Sequence, residues 1–139
     1  MSRAERSPFS YALLRVVPRV ERGERFNVGV VLFCRQRDFL AAKVMLDRVR
    51  LSALTPLCPA EALEQLAGEL EQRLATLSRV AAGDAEAGAI ASLPASERFG
   101  WLAAPASTMV QPSAVHTGLC SDPAATLDDL FDHLVKRHR

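Results

Sequence analysis

Three apolar segments near the start of the chain have the pattern of β-strands. They cover residues 9–17, 26–34 and 39–46, and each is rich in Val, Leu and aromatic side chains. Pro, Gly or charged residues bound each of them, which is typical of strands. The polar linkers at residues 18–24 and 35–38 are short enough for hairpins. We therefore predict that the chain begins with an antiparallel three-stranded meander.

The polar residues inside these strands suggest a pairing register. We centre the first linker on Glu21, because a shift by one residue would set Arg15 against an apolar neighbour. The predicted pairs are then Arg15 with Asn27, Leu13 with Gly29, Tyr11 with Val31 and, across the second linker, Cys34 with Phe39.

Both faces of the predicted sheet are apolar in this register. One face carries Phe9, Tyr11, Leu13, Val31, Phe33, Leu40, Val44 and Leu46, and the other carries Leu14, Val16, Phe26, Val28, Val30, Leu32, Phe39 and Met45. A sheet with one solvated face would show polar residues at alternate positions. We therefore expect helices on both faces, or a partner on one of them.

Leucines at steps of three and four predict a long amphipathic helix from Pro59 to about Leu77, and a similar stripe after Asp122 and Pro123 predicts a C-terminal helix. Shorter elements are predicted as a helical turn capped by Asp47, a short helix at residues 94–102, a fourth strand at residues 107–111 and a loop at residues 113–119. The prediction is a single α+β domain over residues 1–139: an antiparallel meander of three N-terminal strands plus a fourth strand, packed by the long central helix and the C-terminal helix. Residues 1–7 are expected to be flexible, and residues 81–91 to form a surface loop.

Composition and charge exclude few functions. The chain has 139 residues, 49% hydrophobic and 24% charged, with a formal net charge of +1, so a nucleic-acid partner is not implied. No secretory signal or membrane-spanning run is evident, and we expect a cytoplasmic protein. Cys34, Cys58 and Cys120 are expected to be reduced, buried thiols. No cofactor and no metal site is predicted.

A first group of candidate ligand residues lies at one end of a predicted sheet face. It consists of Arg15, Arg25, Asn27 and Gly29. A guanidinium group, an amide and backbone without a side chain can together bind a carboxylate or a phosphate. In the alternative interpretation, Asn27 holds the hairpin loop, Gly29 makes room for a ring such as Trp101 or Tyr11, and the arginines are solvated.

A second group lies in and after the predicted fourth strand. It consists of Ser107, Thr108, Gln111, Ser113, His116 and Thr117. In the predicted loop, His116 could act as a general base or bind an anion. No nucleophile elbow and no paired carboxylate accompanies it, so a simple hydrogen bond from His116 to the backbone is the alternative. His116 and Cys120 are too few ligands for a metal ion.

Four segments together resemble a known family. They are residues 11–18, 25–33, 98–102 and 111–118, and the third adds Arg98 and Trp101 to the candidate ligand or interaction residues. The chain resembles the bacterial family catalogued as domain of unknown function 3037. That family has no established activity to transfer. Its members are often encoded beside a HipA-like kinase, so the resemblance implies a partner of that kind.

The sequence is therefore compatible with two functions. The first is a cytosolic accessory or protein-binding module for a partner such as a HipA-like kinase, and a homo-oligomer is also expected because few helices are available to cover two apolar faces. The alternative is a small enzyme or sensor for an anionic ligand such as a nucleotide, with a polar pocket around Asn27 and His116. An incomplete catalytic set favours the first.

Overall fold

A five-stranded antiparallel sheet lies at the centre of the fold. The structure is a computed structural model that describes residues 5–106 and 108–136. The strands are β1 (Ser7–Val16), β2 (Phe26–Cys34), β3 (Phe39–Val44), β4 (Val110–Pro112) and β5 (His116–Cys120). The first three form the predicted meander, and β4 is the predicted fourth strand.

The described residues also form four α-helices. They are α1 (Arg48–Ala53), α2 (Ala60–Ala82), α3 (Ala95–Leu102) and α4 (Pro123–Phe131), and a π-helical turn (Asp132–Lys136) follows α4. The side chain of Asp47 accepts hydrogen bonds at the start of α1, and that of Asp122 does so at the start of α4, as expected for N-cap carboxylates. The α+β class, the long central helix and the C-terminal helix are thus as predicted.

Two strands share one edge of β1. The sheet order is β3, β2, β1 and then β4, with β5 pairing with β1 as well. β4 pairs with the end of β1 from Leu14 onward, and β5 pairs with its start. Ser113 bridges the two: its N–H donates to the Leu13 carbonyl, and its Oγ accepts from the Leu13 N–H, both at 2.8 Å. The hydroxyl therefore replaces a backbone acceptor where the ladder would otherwise break.

The loop prediction for residues 113–119 is wrong from His116 onward. Residues His116–Cys120 form β5 and pair with Tyr11 through Ser7. The segment is short and contains a histidine and a glycine, which weakens its strand signal. Its pairing partner lies more than 100 residues earlier in the chain, and local sequence cannot reveal such a partner.

A β-bulge in β2 changes the predicted register. Arg15 pairs with Asn27 and Cys34 with Phe39, as predicted, but Leu14 pairs with Gly29, which leaves Val28 as the extra residue. The pairs predicted for Leu13 and Tyr11 are therefore wrong by one residue. The bulge also moves the rest of β2 to the opposite face, so the two predicted face lists are mixed.

Helices cover both faces, as the apolar pattern predicted. On one face α2 and α3 pack over residues that include Leu14, Val28 and Val31. On the other face α4 packs on β2 and β3, over residues that include Val30 and Leu32. Tyr11 and Leu13 of β1 are only half-buried on that second face, which we call the α4 face. The part of it built by β1, β4 and β5 is its more open half.

Two predicted irregular segments are partly regular. Ala81 and Ala82 belong to α2, and the residues that follow form two 3-10 turns (Ala85–Ala87 and Ala89–Ser92) with Ala91 buried. Of the segment predicted to be flexible, Ser7 is the buried first residue of β1, whereas residues 1–4 lie outside the described residues. None of the described helices has an apolar stretch long enough to cross a membrane.

Candidate functional site

Three predicted site residues form one row across the sheet. Arg15 of β1 lies directly opposite Asn27 of β2 on one side and Gln111 of β4 on the other. Residues directly opposite each other in antiparallel strands project from the same face. The Tyr11 ring contacts the cluster of side chains beneath α4, and Arg15 lies on the same face of β1. We call Asn27, Arg15 and Gln111 the polar row.

The guanidinium group of Arg15 has an unusual environment. Its Nε is buried and has no hydrogen-bond partner in the described part of the chain. Burial lowers the pKa of Arg15 from its usual value, and the nearby positive charge of Arg25 lowers that pKa further. An arginine remains protonated at neutral pH all the same. The sheet therefore holds a partly desolvated positive charge close to a second one.

The two amides of the polar row are oriented by backbone carbonyls. Asn27 donates from Nδ2 to the Leu134 carbonyl at 2.9 Å, and Gln111 donates from Nε2 to the Thr108 carbonyl at 2.8 Å. Asn27 thus fixes the turn after α4 against β2 rather than holding its own hairpin loop. Each amide nitrogen carries a second N–H that these bonds leave over.

Gly29 makes room for a neighbouring strand rather than for an aromatic ring. A Cβ atom at this position would lie 2.9 Å from Cγ1 of Val44 and 3.0 Å from the carbonyl oxygen of Lys43. Gly29 also faces the Leu14 side chain, which belongs to the cluster beneath α2 and α3. It is therefore part of the core and not of the polar row.

His116 shares the face of the polar row but lies well away from it. It pairs with Tyr11, and the two rings lie 5.3 Å apart between centroids. Tyr11 and Arg15 are four residues apart on β1, which is roughly 13 Å along a strand. The exposed Thr117 pairs with Ser10 and projects from the opposite face. The groups around Asn27 and His116 therefore do not form one pocket.

Arg98 and Trp101 lie on α3, on the other side of the sheet. Arg98 donates to the carbonyls of Leu93 at 2.7 Å and Ala81 at 3.3 Å, so it ties the end of α2 to the start of α3. Trp101 is 39% exposed and lines a groove of about 210 Å³ with Leu77 and Pro112. Thr108 donates to the Val110 carbonyl, and the predicted site residue Ser107 lies outside the described residues.

The outer edge of β5 was not expected from the sequence, which predicts a loop at these residues. Both backbone groups of Leu13, its N–H and its C=O, bond to Ser113 and therefore point toward β4 and β5. Pro8, which has no N–H, lies opposite Leu119. Backbone groups in an antiparallel pair alternate between the two edges of each strand. His116, Gly118 and Cys120 therefore bond to β1, whereas Thr117 and Leu119 direct their N–H and C=O groups outward.

The sequence of this chain matches one family model over residues 11–135, under the description protein of unknown function (DUF3037). The chain belongs to the DUF3037 family. No curated protein and no solved structure matches it. The range matched by the DUF3037 model includes the polar row, the whole of β5 and the helices on both faces, so the family description covers every candidate site without assigning a role to any of them.

One further cleft of this DUF3037 protein was not foreseen from the sequence. It has a volume of about 540 Å³ and lies between the β1–β2 linker and residues 53–58. Its charged side chains are already paired, since Arg22 binds Glu24 and Arg19 binds Glu21 at 2.9 Å. Within residues 5–106 and 108–136, no three His, Cys, Asp or Glu side chains are grouped so as to hold a metal ion.

Proposed function

We propose that this protein is a cytoplasmic bacterial accessory module that binds a partner protein through the outer edge of β5. An extended segment of the partner would add a strand beside β5 and form main-chain hydrogen bonds with Thr117 and Leu119. Strand addition to an exposed sheet edge is a common way of binding peptides. The observation that carries this proposal is the contrast between the two edges of the sheet.

The edge formed by β3 is tied to helices on both faces. Ser78 of α2 donates to the Ala42 carbonyl, and Lys43 forms an ion pair with Asp128 of α4 at 2.9 Å. Lys43 also lies over the Phe131 ring, 5.1 Å from its centroid. A charged residue and covering helices are the usual protection of a sheet edge against pairing with another chain.

Among the described residues, none gives the edge formed by β5 this protection. The strand contains no charged residue and no proline. Only Cys120 of its five residues is buried. Leu119 is 59% exposed, and Val115, just before the strand, is 45% exposed. A partner strand would therefore meet the side chains of Val115, Thr117 and Leu119 at alternate positions and no like charge. We expect the partner segment to be extended, uncharged and apolar on one face.

The partner that we propose is a HipA-like kinase, the kind of partner that the resemblance to this family implies. The first test is co-expression of the two proteins, followed by size-exclusion chromatography. Co-elution is expected. Separate elution of the wild-type proteins, with no change in the stability or activity of either, would remove the partner proposal.

A proline substitution tests the mode of binding. Thr117→Pro removes an N–H that points outward and leaves the hydrogen bonds between β1 and β5 in place. We expect this variant to bind the kinase at least tenfold more weakly. Thr117→Val keeps the N–H and is the matched control, which should bind like the wild type. Equal binding by both variants, each with a wild-type melting temperature, would contradict strand addition.

A second copy of the chain is the competing occupant of the edge. Light scattering over a range of concentrations distinguishes the two. The expectation of a homo-oligomer was based on too few helices to cover both faces of the sheet, and helices do pack on both, so the proposal expects a monomer in the absence of the kinase. A concentration-dependent dimer that Thr117→Pro abolishes would show that β5 pairs with β5 of another copy, and it would overturn the assignment of this edge to the kinase.

A further inference from the structure

The arginines near the β1–β2 linker fall into two classes. Arg19 and Arg22 each form an ion pair with a glutamate two residues later in the chain. Arg15 and Arg25 form neither an ion pair nor a hydrogen bond with any side chain of residues 5–106 and 108–136, although they are close enough for their charges to repel. Within these described residues, two like charges therefore lie close together without an acceptor for either.

The cost of this arrangement is greatest at Nε of Arg15. A buried donor without an acceptor is unfavourable, and more so when it belongs to a charged group. Long basic side chains normally pack their aliphatic part on the protein and extend their charged end into water. Packing of the Arg15 side chain therefore does not explain why its Nε is buried without a partner. Arg15 instead has a buried Nε and lies between two amide-bearing residues, Asn27 and Gln111, in the register of the sheet.

We propose that Arg15 and Arg25 form a binding site for an oxyanion, a carboxylate or phosphate group, on the α4 face. The Nε and one terminal nitrogen of Arg15 present two parallel N–H donors, the geometry that matches two oxygens of one such group. Arg25 supplies a second positive charge. Asn27 and Gln111 occupy the paired positions on either side of Arg15, and each has an N–H that its backbone hydrogen bond leaves over. His116 lies too far along β1 to contact the same small group.

This site does not rest on the proposed function. It is built from side chains on a face of the sheet, whereas the kinase is assigned to the backbone edge of β5. Loss of kinase binding would therefore leave oxyanion binding intact, and the reverse also holds.

The Nε–Hε resonance of Arg15 in a two-dimensional ¹H–¹⁵N spectrum reports on the site directly. We would titrate the protein with sodium phosphate and, separately, with sodium acetate, holding ionic strength constant with sodium chloride. The proposal expects a saturable shift of this resonance with at least one of the two anions. Tighter binding of phosphate would assign the site to phosphorylated ligands, and tighter binding of acetate would assign it to carboxylates.

Two matched substitutions complete the test. Arg25→Gln removes one charge of the site from an exposed position and is expected to weaken binding at least tenfold. Arg22→Gln removes a charge of the same linker that is already paired with Glu24, and it should leave the affinity unchanged. A linear shift equal to that given by chloride, or equal affinities in the two variants, would overturn the proposal.

A third variant separates charge from geometry. Arg15→Lys keeps the positive charge but loses the two parallel donors, and we expect the rise in melting temperature caused by the bound anion to disappear. If Arg15→Lys keeps the full rise in melting temperature, the two parallel donors of Arg15 do not bind the anion and the site is wrongly assigned.

Discussion

The Phe9 ring lies directly over Gly118 of the neighbouring strand. A Cβ atom at Gly118 would come within 2.8 Å of Cζ of this ring. The contact holds the edge strand β5 against the cluster beneath α4, to which Phe9 belongs. It also explains why a strand with a glycine in its middle forms here.

Replacing this glycine is therefore expected to be destabilising. Gly118→Ala should lower the free energy of unfolding by about 1–3 kcal/mol, the usual cost of overpacking, because the Phe9 ring must move. Urea denaturation measures the difference. Gly68→Ala is the control, since Gly68 lies within α2 with no atom within 4 Å of an added Cβ. That change should stabilise the protein by up to about 1 kcal/mol. Equal stability of the two variants would contradict the contact.

The hydroxyl of Ser113 is expected to be a structural requirement. It accepts the Leu13 N–H and donates to the Ala114 carbonyl, and the residue is buried. Ser113→Ala should cost about 1–3 kcal/mol, because a partly buried N–H then loses its acceptor. Ser96→Ala, at an exposed position of α3, should have little effect. Chemical denaturation of both variants tests this, and a neutral Ser113→Ala would mean that water or another acceptor replaces the hydroxyl.

The three cysteines should differ in reactivity, because Cys34 and Cys120 are buried as expected, whereas Cys58 is only half-buried. Burial raises the pKa of the Cys120 thiol, the neighbouring Cys34 raises it further, and both residues are buried. The thiolate is the reactive form, so a raised pKa leaves less reactive thiol at a given pH. The raised pKa of Cys120 also stabilises the fold below the ordinary thiol pKa, and this contribution is lost as the pH rises through the pKa of the folded protein. Iodoacetamide at pH 8, followed by mass spectrometry, should modify Cys58 first. Rapid modification of Cys120 in the folded protein would contradict its burial.

One surface ion-pair cluster should give a measurable pH dependence. Arg48 donates to Glu64 and, through two nitrogens, to Glu71, and these hydrogen bonds lower the pKa of Glu71. A lowered pKa stabilises the fold above the unfolded value of about 4.3, and this contribution is lost as the pH falls through the folded value. Glu71→Gln should therefore lower the melting temperature at pH 7 and have no effect at pH 2.

The effect of Glu71→Gln should be small, because both side chains are largely exposed to solvent and salt screens them. A double-mutant cycle with Arg48→Gln isolates the pair. Glu71→Gln should have no effect in that background, and an undiminished effect would mean that Arg48 is not the cause.

Local patterns were enough to predict most of the architecture. The three-stranded meander, α2 and α4 follow from hydrophobic periodicity, and the pairing of Arg15 with Asn27 follows from matching polar positions. The predicted register omits the bulge at Val28, although a glycine inside a strand, here Gly29, can mark one. Strand β5 was missed because its signal is weak and its partner is distant in the sequence.

The sequence predicts only part of the arrangement of the candidate residues. Arg15 pairs with Asn27 as predicted, whereas the pairing of Gln111 with Arg15 could not be predicted, because the partner of the fourth strand is not evident from the sequence. Gly29, Arg98 and Ser113 have structural contacts that come from tertiary packing. The outward backbone of β5 has no sequence signal of its own, because any strand at that edge would have it.

The most direct test of the account is amide hydrogen exchange at Thr117 and Leu119, measured in the free protein and in the complex expected with the proposed partner, a HipA-like kinase. Exchange at these two amides should be fast in the free protein and strongly slowed in the complex, whereas Gly118, whose N–H bonds to β1, should be protected in both. A complex in which Thr117 and Leu119 exchange as fast as in the free protein would contradict strand addition at β5.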